Sequence, residues 1–222
     1  MEQHTTVEKS RPSSALRIPA ILISYIFHPV FMPAAMTVLL YKLTPHSFAG
    51  VNVLDFSKQP LPLIVSIIIS TAFFPLLSVL LMKGLGFVES IQLENPKDRI
   101  IPLIATMTFY FWIYNVMSNT NAPFLFQVLL LGSFWGVIAI FMVNIFFKIS
   151  MHTTAAGSAV GLMLVLLFLS PVNMILPFFA VLIVAGIIGT ARLLLSAHQP
   201  AQIWLGYIVG FLVQIAAYFY LK

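Results

Sequence analysis

Seven long apolar stretches, joined by short polar connections, make up most of the chain. They cover residues 18–41, 61–82, 100–118, 124–147, 153–170, 174–195 and 202–221. A helix needs about 20 apolar residues to cross the hydrocarbon core of a bilayer, and each stretch is close to that length. The pattern therefore predicts an all-α protein, a polytopic membrane helix bundle with six or seven transmembrane helices.

Two stretches leave the number of crossings open. The first contains His28, Pro29 and Pro33, and we expect it to be kinked or partly re-entrant because proline breaks the hydrogen bonding of a helix. The fifth is short and ends in a tight hairpin at residues 170–173. Before the first stretch, residues 1–16 are polar and predict a disordered tail. Residues 17–222 then form a single transmembrane domain.

Composition supports the membrane assignment and excludes several chemistries. The chain is 60% hydrophobic and 8% charged, whereas an ordinary globular domain has roughly 25% charged residues. It contains no cysteine, which rules out disulfides, thiolate metal sites and cysteine nucleophiles. The net charge is +5, but the basic residues are scattered and form no contiguous stripe. We therefore expect anionic lipid, and no nucleic acid, as the partner.

Three short polar clusters interrupt the apolar pattern, and each lies at the end of a stretch. The clusters are Lys97-Asp98-Arg99, Ser150-Met151-His152-Thr153, and Arg192 with His198 six residues later. Each cluster follows an even number of apolar stretches. If every stretch crosses the bilayer, all three clusters lie at the same membrane face, at the depth of lipid phosphates.

The residue types in these clusters favour the binding and transfer of an anion. Arginine offers a planar fork of donors to phosphate oxygens, and histidine is suited to nucleophilic attack or proton transfer near neutral pH. The second cluster opens a helix, whose free backbone N–H groups can cradle phosphate. Taken singly, each cluster has a plainer explanation: a juxtamembrane anchor, a helix N-cap at Ser150 or Thr153, or a solvated charge run.

The order and spacing of the clusters resemble the type-2 phosphatidic acid phosphatase superfamily, a helical fold shared with vanadium haloperoxidases. That family's pattern has three motifs: Lys-x6-Arg-Pro, Pro-Ser-Gly-His and Ser-Arg-x5-His-x3-Asp. The corresponding residues here are Lys97-x-Arg99-x-x-Pro102, Ser150-Met151-His152-Thr153 and Ala191-Arg192-x5-His198-x3-Gln202. The resemblance covers residues 97–210, about half of the chain.

The resemblance implies a role for each matched residue. His198 is similar to the nucleophile that forms a phosphohistidine, and His152 to the general acid that protonates the leaving group. The residues implied to hold the phosphate oxygens are Lys97, Arg99, Ser150 and Arg192. The implied substrate is a lipid phosphate or isoprenoid diphosphate in the cell membrane (the inner membrane in a Gram-negative bacterium). No cofactor or metal is required.

Gln202 departs from the family pattern, which has an aspartate at this position to orient the nucleophilic histidine. An amide oxygen can accept a hydrogen bond from the imidazole but cannot stabilise an imidazolium. By analogy with the serine-protease triad, loss of such a carboxylate costs on the order of 10⁴ in turnover. We hypothesise that another acid on the same face replaces it or that the enzyme is slow. The candidate acids are Glu89, Glu94 and Asp98.

Other functions remain open. A catalytically degenerate family member that binds lipid or has a structural role would also explain Gln202. A transporter is a further alternative, but all six acidic residues lie outside the apolar stretches, and of the five histidines only His28 lies within one, whereas ion pathways usually place such proton-binding groups inside the membrane. A prenyltransferase would need paired aspartates for Mg²⁺-diphosphate, and the chain has no Asp-Asp or Asp-x-x-x-Asp pair.

Glycine spacing predicts how the last three helices pack. Gly157 and Gly161 are four residues apart, as are Gly206 and Gly210, which places each pair on one helix face and permits close approach. Ordinary packing suffices to explain such pairs. They also bring together the ends of helices that carry two of the polar clusters.

The charge distribution gives an uncertain orientation. Eight of the eleven lysines and arginines lie on the N-terminal side of the membrane, which would place the three clusters in the cytoplasm by the positive-inside rule. If Lys97, Arg99 and Arg192 bind an anion, five residues remain against three. The resemblance implies a site that faces outward, so the orientation stays open.

Overall fold

The computed structural model of the protein describes residues 14–48, 61–90, 93, 97–120 and 122–222. The tail predicted for residues 1–16 therefore lies almost wholly outside the described residues. Within the described part, the chain is helical and contains no strand. The α-helices are α1 (Ser14–Ile26), α2 (Met32–Leu43), α3 (Leu61–Ile68), α4 (Phe74–Gly84), α5 (Ile100–Asn119), α6 (Phe124–Phe146), α7 (Met151–Leu169), α8 (Ile175–Leu194) and α9 (Pro200–Leu221).

Seven helical stretches in this part are long and apolar enough to cross a membrane. They are Ala15–Leu43, Leu61–Gly84, Lys97–Asn119, Phe124–Phe146, Met151–Leu169, Ile175–Leu194 and Pro200–Leu221. The predicted all-α, multi-pass bundle is therefore confirmed, with the higher of the two expected helix numbers. α7 lies at the centre of the bundle, between α6, α8 and α9.

The first span bends at His28, as the sequence predicts. It comprises 29 residues, about 43 Å of helix, whereas the hydrocarbon core is about 30 Å thick. The backbone of His28 is extended and a short 3-10 turn, Pro29–Phe31, follows before α2. α1 packs against α8, whereas α2 packs against α3, α6 and α7. The bend thus lets one apolar stretch contact two sides of the bundle.

The second span contains a π turn, Ile69–Phe73, between α3 and α4. Pro75 explains it, since proline has no N–H to donate to the carbonyl four residues earlier, which belongs to Thr71. The hydroxyl of Tyr110 on α5 donates to that carbonyl instead, at 3.1 Å. A backbone acceptor freed inside the bilayer is therefore satisfied by a neighbouring helix, as lipid requires.

α7 and α9 approach each other closely enough for their backbones to touch. A side chain at Gly157 would clash with the carbonyl of Tyr207, and one at Gly210 with the carbonyl of Thr154. The partner glycines of the two pairs, Gly161 and Gly206, are similarly confined. The close packing predicted from the glycine spacing is confirmed, and it fixes the starts of the two helices relative to each other.

Candidate functional site

The three polar clusters meet at one end of the bundle. The backbone N–H of Ser150, which caps α7, donates to the carbonyl of Gln202 in the first turn of α9 at 3.4 Å. Arg192, at the end of α8, and His152 both contact Ser24 of α1. Arg99 acts electrostatically on both Arg192 and His198, so residues from all three clusters lie near one another at this end of the bundle, as the parity of the stretches predicts.

Gln202 holds the ring of His198 in one orientation. Its Oε1 accepts from the backbone N–H of Gln199 at 3.2 Å, as part of a capping box at the start of α9. The same oxygen lies 3.1 Å from Nδ1 of His198. Because this oxygen can only accept, Nδ1 must donate and carries the ring proton. The lone pair of His198 therefore lies on Nε2, which is the arrangement that a nucleophile needs.

The surroundings of His198 keep its imidazole neutral. Burial is the largest effect, and together with the nearby positive charges of Arg192, Lys148 and Arg99 it lowers the pKa of His198 to about 4. The hydrogen bond to Gln202 acts in the opposite direction and is outweighed. At neutral pH the lone pair on Nε2 is consequently free of a proton.

Arg192 has a donor with no acceptor. Its Nη1 donates to the hydroxyl of Ser24 at 3.2 Å. Its Nε is buried and has no hydrogen-bond partner among the described residues. A buried, unsatisfied donor on a cationic group is costly and marks a place where a ligand or an ion is expected.

Arg99 is buried among neutral acceptors. Only 5% of its surface is exposed. Its Nε donates to the carbonyl of Leu93 at 2.7 Å and its Nη1 lies 3.5 Å from Oδ1 of Asn144. The charge of Arg99 also acts on Arg192. Two guanidinium groups whose hydrogen-bond partners among the described residues are neutral form a cationic site that an anion would stabilise.

His152 lies between α1 and the cationic residues. A carbonyl can only accept, so Nε2 of His152 donates to the carbonyl of Ser24, 3.1 Å away. The ring also packs edge-on against that of His28, with centroids 5.4 Å apart. Nδ1 of His152 is the ring nitrogen left for other chemistry. Within the described residues, no group of three potential ligands is placed to hold a metal ion.

Ser150 serves as the N-cap of α7. Its hydroxyl accepts from the backbone N–H of Thr153 at 3.4 Å, and the residue has no exposed surface. The capping alternative for this serine is thus confirmed. A contact between Ser150 and phosphate stays a prediction.

Lys97 and the acidic residues lie further out. Lys97 begins a 3-10 turn, Lys97–Arg99, and is exposed, whereas Arg99 at the end of that turn is buried. Asp98 is half-buried and Glu89 is exposed, while Glu94 lies outside the described residues. The charged groups that act on the pKa of His198 are cationic. The idea that one of these acids replaces the missing aspartate therefore stays a prediction.

Sequence reasoning missed four members of the site: Ser24, His28, Asn144 and Lys148. Each of these four residues is polar or charged, and its position in the sequence gives a reason to consider it. Ser24 and His28 are polar residues four positions apart within the first apolar stretch, and Asn144 is polar within the fourth. Lys148 precedes the second cluster by two residues. The contact of Ser24 with Arg192 joins residues 168 positions apart, and no local pattern encodes it.

No family model, curated protein or solved structure matches the chain. Its function is therefore argued from the geometry and the charges of the site.

Proposed function

We propose that the protein is a phosphatase of the cell membrane that hydrolyses a lipid phosphate or diphosphate through a phosphohistidine at His198. One observation carries the proposal: a neutral, oriented His198 lies near buried Arg99 and half-buried Arg192, whose hydrogen-bond partners among the described residues are neutral. A nucleophile and an anion site are thus combined at one end of a membrane bundle. Phosphoryl transfer needs mainly these two elements, positioning and electrostatic stabilisation.

Binding of the phosphate relies on Arg99 and Arg192. The unpartnered Nε of Arg192 supplies a donor for one equatorial oxygen, and the charge of Arg99 stabilises the others. A phosphate group would satisfy the buried donor and neutralise both cations. The tail of the lipid stays in an apolar environment because the site opens at the end of apolar helices.

The first chemical step forms a bond between Nε2 of His198 and phosphorus, while the bond from phosphorus to the leaving oxygen breaks. The proton on Nδ1 stays hydrogen-bonded to Gln202. Neutral His152, whose Nε2 donates to the carbonyl of Ser24, orients a water through Nδ1, and that water gives a proton to the leaving oxygen and becomes hydroxide. In the second step this hydroxide attacks phosphorus, and the phosphorus–nitrogen bond breaks to release phosphate and neutral His198.

Because position 202 holds a glutamine and not an aspartate, we expect the enzyme to be slow. It orients His198 as a carboxylate would, but a neutral amide does not stabilise the positive charge that the ring gains on phosphorylation. The bound phosphate itself must provide that stabilisation. By analogy with serine proteases, turnover falls on the order of 10⁴ below that of an enzyme with the carboxylate.

The amide of Gln202 also favours a second candidate function, in which the protein binds lipid phosphate without hydrolysing it. The cationic site suits both functions, because both require an anion between Arg99 and Arg192. They differ in whether phosphorus–oxygen bonds break.

Phosphate release from purified protein in lipid nanodiscs distinguishes the two. We expect release from at least one of phosphatidic acid, phosphatidylglycerol phosphate and undecaprenyl diphosphate. His198→Ala should remove this activity, whereas Asn119→Ala, an exposed change at the opposite end of α5, should retain it. Binding without release from any lipid would favour the non-catalytic protein, and release that is indifferent to His198→Ala would refute the nucleophile.

A further inference from the structure

An apolar cavity of about 360 Å³ lies inside the bundle beside the cationic site. Its walls come from α2, α4, α5, α6 and α7, and from the turn after His28. Arg99 and His28 border it at the end where the polar clusters meet, whereas Tyr110 and Ser133 border it further along the bundle. The cavity thus connects a cationic end to an apolar interior.

The depth of the cavity matches one leaflet of a bilayer. Arg99 and Tyr110 both line it and lie eleven residues apart along one helical span, which corresponds to about 16 Å. Half of the hydrocarbon core is about 15 Å. If the phosphate of a lipid lies at Arg99, one hydrocarbon chain of that lipid can therefore extend along the whole cavity within the same leaflet.

The lining suits a hydrocarbon chain better than water. Most of it is aliphatic, and Met32, Met36 and Met151 contribute side chains, which are flexible and adapt to an irregular ligand. The hydroxyl of Ser158, one of the few polar groups in the wall, already donates to Gln214 at 2.8 Å. A buried water needs two to four polar partners, which this lining offers poorly.

His28 marks the junction between head group and chain. Its Nδ1 accepts from the backbone N–H of Val30 at 3.4 Å, so a neutral His28 carries its proton on Nε2. The ring borders the cavity and packs against His152. The donor is thus held at the place where a lipid passes from its polar to its apolar part.

We infer that the cavity binds one hydrocarbon chain of the anionic lipid whose phosphate occupies the cationic site, an inference that rests on the proposed function for the identity of the head group. The volume is at the lower end of that of ligand pockets and accommodates a single chain. A second chain stays in the surrounding bilayer. The protein therefore recognises the length and shape of this hydrocarbon chain inside the cavity.

A photoreactive probe tests this inference without requiring catalysis. The probe is a long-chain alkyl phosphonate, whose carbon–phosphorus bond a phosphatase does not cleave, with a diazirine at the end of its chain. Nanodisc-embedded protein is irradiated and the adducts are mapped by peptide mass spectrometry. We expect adducts around Tyr110 and Ser133, and we expect inorganic phosphate to reduce them.

Variants that fill the cavity give a second readout. Ser133→Leu and Ala155→Leu place bulk in the cavity from two helices, and either should lower adduct yield and kcat/KM for a long-chain lipid phosphate about tenfold. A short-chain phosphate should be cleaved as before. Gly186→Leu is the matched control, because nothing lies within 4 Å of a Cβ atom added there.

The outcomes separate the two proposals. Adducts in the cavity without phosphate release from any lipid would leave the chain site standing and remove the phosphatase. Phosphate release with adducts only on membrane-facing residues such as Phe111 would overturn the chain site and leave the phosphatase. Equal effects of both cavity variants on long and short substrates would also overturn it.

Discussion

At the scale of single residues, the site pairs its basic groups with amides, hydroxyls and carbonyls. Gln202 contacts His198, Ser24 contacts Arg192, and Asn144 contacts Arg99. These neutral partners orient the basic groups without cancelling their charge. The result is a site that attracts anions while the pKa of His198 stays low.

The pH dependence of the reaction follows from that pKa. A protonated His198 cannot attack phosphorus, so kcat/KM should fall as the pH drops through about 4, the pKa of His198. Lys148→Gln removes one of the positive charges that lower this pKa, and the acid limb should then move to higher pH. Lys83→Gln is the control, since Lys83 is not among the groups that act on His198. An acid limb near 6.5 in the parent protein would contradict the proposed neutral nucleophile.

Substitution of Gln202 tests the orienting role of the amide. Gln202→Ala removes the acceptor from His198, and turnover should fall at least a hundredfold, as it does when triad partners are lost elsewhere. Gln202→Glu keeps the acceptor and adds a negative charge, which should raise both turnover and the pKa of His198. The measurements are kcat and the pH profile of kcat/KM. Unchanged kcat in Gln202→Ala would show that the amide has no part in the reaction.

At the scale of elements, the seam between α7 and α9 determines the geometry of the site. His152 lies in the first turn of α7, and His198 lies two residues before the start of α9. The glycine spacing in the sequence predicts this seam because four-residue spacing places glycines on one helix face. The position of α1 was not predictable, since helical periodicity indicates which face is buried but not which helix covers it.

A larger residue at the seam should disrupt both stability and activity. A side chain at Gly210 would meet backbone atoms of Thr154 and Ser158, so Gly210→Ala should destabilise the protein by about 1–3 kcal/mol and separate His152 from His198. Gly186→Ala has open space around it and should be neutral or slightly stabilising, because alanine favours helix. Thermal unfolding in nanodiscs measures the difference. Equal unfolding temperatures of the two variants would contradict the close packing of α7 against α9.

At the scale of the whole molecule, the apolar pattern predicts nearly all of the helical architecture. The seven apolar stretches correspond to seven candidate spans. Each polar cluster follows an even number of stretches, and this pattern predicts that the clusters lie at one end of the bundle. The π turn before Pro75 and the apolar cavity were not predicted. Both depend on how side chains of separate helices fit together, and a one-dimensional pattern does not contain that information.

If all seven spans cross the membrane, the connections at the two ends of α8 lie on opposite sides of it. Ser196 lies in the connection at the site, and Val172 in the hairpin at the other end of α8, and both are exposed. The chain has no cysteine, so Ser196→Cys and Val172→Cys each introduce one unique thiol. A membrane-impermeant maleimide should label one from outside intact cells or spheroplasts and the other only after lysis. Labelling of both from one side would contradict the seven-span topology, and the side of Ser196 settles which compartment the site faces.

The proposed phosphohistidine is tested most directly by trapping it. Protein in nanodiscs is mixed with lipid phosphate that carries ³²P, quenched in alkali, which preserves phosphohistidine, and digested for peptide mapping. We predict acid-labile label on the peptide that contains His198, its disappearance in His198→Ala, and its retention in His152→Ala with slower formation. Hydrolysis of the lipid with no label on His198, or with the label on another residue, would contradict the mechanism.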